Sequence, residues 1–98
     1  MWEVWYGLEA ANYLNDNGEL VADLFFAMEA LAESAGWPQN GDYQQIDELI
    51  LWQILSHLVV YQRLENEQIV QIAIIKPNLV APPGFIARHF FNIEFWKI

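Results

Sequence analysis

The stretch from Leu51 to Asn78, LWQILSHLVVYQRLENEQIVQIAIIKPN, constrains the fold more than any other part of the chain. Its apolar runs are short, rich in branched side chains and divided by polar turn residues, which is how strands read. A strand is expected near Leu49–Leu55, with a helical turn over Ile46–Leu51 as the competing reading. Leu58–Leu64 is the next strand, Glu65-Asn66-Glu67 the turn, and Ile69–Ile75 the strand after it. Alternation places Val59 and Tyr61 on one face and Leu58 and Val60 on the other. Both faces are apolar, so these strands are expected to be central and covered. Pro77 ends the last one, because proline cannot donate to a ladder.

The amino-terminal half has a different period. Met1–Tyr6 reads as a short strand and Gly7 breaks it. Leu8, Ala11 and Leu14 then recur at helical spacing. Asn15-Asp16-Asn17-Gly18 predicts a turn, with Asp16 capping a second helix and Glu19 as reciprocal partner. Leu20, Leu24, Ala27 and Leu31 form that helix's apolar stripe, widened by Phe25, Met28 and Ala32. It should end near Ala35, with Gly36 just past the end and Pro38 preventing resumption. Residues 36–45 are expected to be a loop. The order is strand, helix, helix, then an antiparallel meander. The expected class is α+β, an N-terminal strand and a two-helix hairpin packed on an antiparallel sheet.

With 98 residues the chain makes one domain, and 55% apolar content excludes disorder. Residues 1–80 should form that domain. Residues 81–98 form an apolar extension, with eight large apolar side chains between Phe85 and Ile98, that must pack on the domain or on a second copy. There is no cysteine, which removes disulfide and thiolate chemistry. No leader or spanning stretch is evident, so a cytoplasmic protein without membrane contact is expected. Thirteen acids face four bases, Arg63, Lys76, Arg88 and Lys97, for a net charge of −9. Such a surface repels nucleic-acid phosphates, and no nucleic-acid partner is expected.

The residue order and several local patterns resemble the RelE/ParE superfamily of small bacterial toxins over about residues 1–78. The matching pieces are Trp2-Glu3-Val4, then Ala10 with Tyr13-Leu14, then Ala27-Met28-Glu29-Ala30-Leu31-Ala32. Pro38 and Gly41 follow in the loop, and His57-Leu58-Val59-Val60-Tyr61 resembles the family's H/Y-R-V-x-Y strand. Ile69–Ile75 resembles the strand after it. The resemblance implies a toxin that cleaves messenger RNA on the ribosome or poisons DNA gyrase, silenced by a cognate antitoxin. Leu58 and Gln53 stand where the family pattern has arginines, and of the basic set only Lys76 remains. RNA-cleaving relatives need such cations at the scissile phosphate, where losing one donor costs orders of magnitude in rate. A toxin-like protein with a degenerate nuclease site, acting through protein binding, is therefore expected. The alternatives are a non-toxic interaction module and an active endonuclease.

The candidate catalytic residues are His57, Tyr61 and Lys76. Histidine titrates nearest neutrality, and Tyr61 and Lys76 could meet if their strands pair across the 65–67 turn. Each also has a structural reading, as a hydrogen-bonded histidine, a half-buried strand aromatic and a solvated strand end. Asp47-Glu48 reads as a solvated pair. His57 and His89 lack metal-ligand spacing, and no metal or cofactor is expected. The candidate partner-binding residues are aromatic: Trp2, Trp5, Phe90, Phe91, Phe95 and Trp96. Trp2 and Trp5 should fall on opposite faces of the first strand, so at least one leaves the core. A homodimer or an antitoxin-like protein is the expected partner.

Overall fold

The computed structural model describes residues 1–77. They form an α+β domain in which a helix packs on a five-stranded mixed sheet. The strands are β1 (Glu3–Tyr6), β2 (Asp42–Ile46), β3 (Leu49–Ile54), β4 (His57–Leu64) and β5 (Ile69–Pro77). Their spatial order is β1-β5-β4-β3-β2. Strands β3 to β5 form the expected antiparallel meander and β2 adds a fourth antiparallel strand at its edge, but β1 joins β5 in parallel, with Val4 opposite Val70. The sheet is thus mixed rather than antiparallel. The parallel pairing requires a crossover, and the helical segment between β1 and β2 starts that return path.

Helix α1 (Leu8–Asn17) lies along β5. Its buried position is Ala10, with Tyr13 and Leu14 packed beside it, while Leu8 is exposed. The stripe is therefore 10, 13, 14 rather than 8, 11, 14, because the small Ala10 side chain allows close approach to the sheet. The expected turn at 15–17 is instead the last turn of α1. Asp16 caps nothing: the next segment, a 3-10 turn over Gly18–Val21, has Asn17 at its start and no side-chain cap. Helix α2 follows (Ala22–Glu29), then a second 3-10 turn (Ala30–Ser34). One long second helix is thus replaced by a short helix between two tighter turns. Val21, Leu24, Met28 and Leu31 are its buried residues, and Leu20 is out in water.

Ala35 (φ 54) and Gly36 (φ 84) turn the chain left-handed, and Gly36 N–H caps the Leu31 carbonyl at 2.8 Å. The stop expected at Gly36 is there. The loop expected over 36–45 is shorter than the sequence implies, since Asp42–Ile46 pairs with β3 as an edge strand. Its composition, DYQQI, hides it: four of its five residues are exposed.

Two apolar clusters form on opposite faces of the sheet. One joins Leu24, Met28 and Leu31 to Ile50, Trp52, Val59, Tyr61, Val70 and Ile72. The other joins Leu51, Leu58, Val60 and Ile74, all from the sheet. The alternation expected for β4 is realised, with Val59 and Tyr61 in the first cluster and Leu58 and Val60 in the second. No helix among the described residues is long and apolar enough to cross a membrane. The proposed extension, residues 81–98, lies outside the described residues.

Candidate functional site

The register of β4 against β5 decides which candidate side chains can cooperate. The strands pair as expected, but Val60 is opposite Ile74 and Tyr61 opposite Ile72, so Ala73 is an extra residue in the ladder. Lys76 stands opposite Leu58, three positions from Tyr61 along β4. Three positions in a strand reverse the face. Tyr61 points to the helix side and Lys76 to the other, so the pair does not meet.

Tyr61 is fully buried, and its hydroxyl donates to the Gly36 carbonyl at 2.6 Å. Burial raises its pKa well beyond the usual phenol range, against a smaller opposing pull from Arg63. Its proton is held in a structural bond. Two neighbours act on the same connection. Arg63 Nε donates to the Ala35 carbonyl at 2.7 Å, and Trp52 Nε1 donates to the Asn40 carbonyl at 2.6 Å. Three side chains from β3 and β4 thus hold the 35–41 segment against the sheet. That segment has no regular ladder of its own, so these bonds tie its backbone to the sheet, and the one to Gly36 satisfies a carbonyl in a buried residue. Gly41 follows from this closeness: a Cβ there would run into the Gln53 carbonyl oxygen.

Arg63 is held on two more sides. Its guanidinium sits 4.2 Å from the Trp37 ring and 5.1 Å from the Trp2 ring, with Glu65 at 3.8 Å. The base nearest the sequence-predicted site is therefore a clasp between the amino terminus and the loop. Trp2, expected to bind a partner, is committed to this stack and to the core. Trp5 is the exposed one, donating to Glu3 at 3.1 Å.

His57 opens β4 as expected and has a partner that sequence reasoning missed. The Tyr13 hydroxyl lies 2.8 Å from Nε2, and Nδ1 lies 2.8 Å from the Leu55 carbonyl. A carbonyl only accepts, so Nδ1 carries a proton and donates to Leu55, and the Tyr13 hydroxyl pairs with the other ring nitrogen. The histidine is oriented on both sides. Leu55 and Ser56, which form the two-residue turn before it, have φ of 49° and 59°. This primed hairpin turn is normally supplied by Asn-Gly, so both residues are strained. Tyr13 stands in the first helix with no local chemical signal; only the packing of α1 brings it to the start of β4.

Asp47 and Glu48 form the exposed turn between β2 and β3, and Glu48 accepts from Gln62 Nε2 at 3.0 Å. On the sheet face away from the helices lies a groove lined by Leu8, Glu9, Asp47, Glu48, Leu49 and Ala73 among others. Its described lining holds three carboxylates and no base, and none of His57, Tyr61 and Lys76 lines it. Trp5, paired with Gln71 of the lining, stands beside it. Among the described residues no three His, Asp or Glu side chains converge as a metal site would need. Phe90, Phe91, Phe95 and Trp96 lie outside the described residues. No family model, no curated protein and no solved structure matches the chain.

Proposed function

We propose that the chain acts by binding another protein, as the toxin-like component of a bacterial toxin–antitoxin pair whose nuclease site has degenerated. The observation that carries the binding reading is the amount of apolar surface left in water. Trp5, Leu8, Leu20, Phe26, Trp37 and Tyr43 are all exposed, Leu20 at 88% and Phe26 at 68%. Isolated exposed apolar residues are ordinary, but aromatic ones in this number mark partner surfaces. Trp5 and Leu8 flank the acidic groove, which suits a basic, amphipathic segment of an antitoxin-like partner.

The degenerate-site reading rests on the groups a nuclease would use. Tyr61 is committed to Gly36, Lys76 faces the other side of the sheet, and Gln53 and Leu58 replace cations. The narrower architectural part of this reading, a two-helix hairpin set on the sheet in the RelE/ParE manner, is supported by the buried contributions of both α1 and α2 to one cluster. Work in the cytoplasm fits the same reading. Co-expression with the neighbouring open reading frame, followed by affinity capture through the full chain, tests it. A stable stoichiometric complex that Trp5→Ser with Leu8→Ser weakens at least tenfold is expected. Steeply salt-dependent micromolar RNA binding with cleavage, lost in Lys76→Gln, would refute it.

A further inference from the structure

One row of side chains crosses the whole sheet on the face away from the helices. Ile46 stands opposite Leu49, Leu49 opposite Gln62, Gln62 opposite Gln71 and Gln71 opposite Trp5, so every strand gives one member. Directly opposed residues share a face. The neighbouring row on that face, Leu51, Val60 and Ile74, is fully buried. This row is open by comparison: Ile46, Leu49 and Gln62 are half-buried, and Gln71 and Trp5 are exposed. Its members from β2 to β5 line the acidic groove. Glu9, just past β1, lies toward one end of the row, and the Asp47-Glu48 turn after β2 lies at the other. The described sheet does not balance these carboxylates. Arg63 points to the helix side, where it stacks on Trp37. Lys76 shares the groove's face but stands opposite Leu58, four positions from Gln62. That separation is roughly 13 Å along the strand, beyond the screening length of about 8 Å at physiological salt.

We infer that this transverse groove seats a single α-helix of a protein partner, basic at both ends and apolar toward the sheet in its first and last turns. This pose rests on the binding reading above and gives its partner a chemistry and an orientation. A segment lying over a sheet face gains no backbone partners from the ladder beneath it, so its own N–H and C=O groups must pair internally, as in a helix. Four strand spacings of about 4.8 Å make the row roughly 19 Å long, which a helix of about 13 residues spans. Its apolar side chains meet Trp5 and Leu8 at one end and Ile46 and Leu49 at the other, while Gln62 and Gln71 offer amides to a polar residue between them. Charge argues against a second copy as the occupant, since it would bring a net −9 chain to a rim that is already acidic.

A synthetic 13-residue helix-stapled peptide of this pattern, made with lysines or with glutamates at both ends, tests the pose on the full chain by fluorescence anisotropy at low salt. The lysine form should bind at least tenfold tighter than the glutamate form. Glu9→Lys with Glu48→Lys should invert that preference, and the milder Glu9→Gln with Glu48→Gln should abolish it without inversion; both positions are exposed, and circular dichroism checks the fold. A photoreactive benzoylphenylalanine in place of Gln71 should crosslink to the lysine-ended peptide. Equal affinity for the two peptides, a preference unmoved by either pair of substitutions, or crosslinks that go instead to residues 78–98 or to a second copy would each overturn the inference. A complex with the neighbouring gene's product that survives both charge reversals would overturn this pose and leave the binding reading standing. Inverted peptide preference with no complex on co-expression would support the groove's specificity and count against the toxin–antitoxin reading.

Discussion

Replacing Tyr61 with phenylalanine separates a structural tyrosine from a catalytic one. The substitution removes one oxygen and keeps the ring that packs edge-on against Trp52 at 6.1 Å between centroids. What is lost is a 2.6 Å bond to Gly36 in a residue with no exposure. The net value of such a bond is about 1 kcal/mol, and a buried carbonyl left without a donor adds to the cost, for a total of about 1–2 kcal/mol. In a domain of this size each kcal/mol moves the midpoint by roughly 4–8 °C, so a fall of about 4–16 °C is expected. Thermal melts and urea titration at about pH 7 measure it, and the urea slope should stay unchanged because the surface exposed on unfolding does not change. An unchanged midpoint would refute the assignment of the hydroxyl to the loop. It would return Tyr61 to the residues free for chemistry.

Three further outcomes follow from the same geometry. Gly41→Ala should cost more than about 2 kcal/mol in urea titration, since its φ of +78° and the Gln53 carbonyl both oppose a side chain. Leu55→Asn with Ser56→Gly should stabilise by about 1–2 kcal/mol, by relieving left-handed strain at the turn; a lowered midpoint would mean that Leu55 makes contacts worth more than the strain. Tyr6 and Tyr61 both hold their protons more tightly folded than unfolded, chiefly through burial, with the Glu29 carboxylate adding to it at Tyr6. The unfolded chain therefore ionises first as pH rises, and stability should be flat up to about pH 10 and fall above it, less steeply in Tyr61→Phe.

The parts of this fold that were legible in sequence are those where one physical signal dominates. The β3–β5 meander is written in period-two apolar runs, and the helix stop at Gly36 in a residue suited to the left-handed region. Edge strand β2 was hidden because an edge can be polar on both faces, so DYQQI carries no alternation. The parallel docking of β1 was hidden because four residues state a strand but not its neighbour. The helix stripes were read a residue or so out of phase at Leu8 and Leu20, since Ala10 and Val21 compete for the same face. At the candidate site, His57 was visible by type, whereas Tyr13 is 44 positions away and meets it only through tertiary packing. Lys76 stands opposite Leu58, three positions from Tyr61, in a ladder that also carries one extra residue, Ala73, and no sequence pattern announces that register.

The central claim is that the chain works through its surface rather than through a nuclease centre, and growth arrest on expression in bacteria tests it most directly. The account predicts arrest by the wild-type chain, relief by the neighbouring gene, undiminished arrest by Lys76→Gln, and loss of arrest in Trp5→Ser with Leu8→Ser at equal protein level. Arrest that survives the surface substitutions but disappears with Lys76→Gln would contradict it, and so would a wild-type chain that leaves growth untouched.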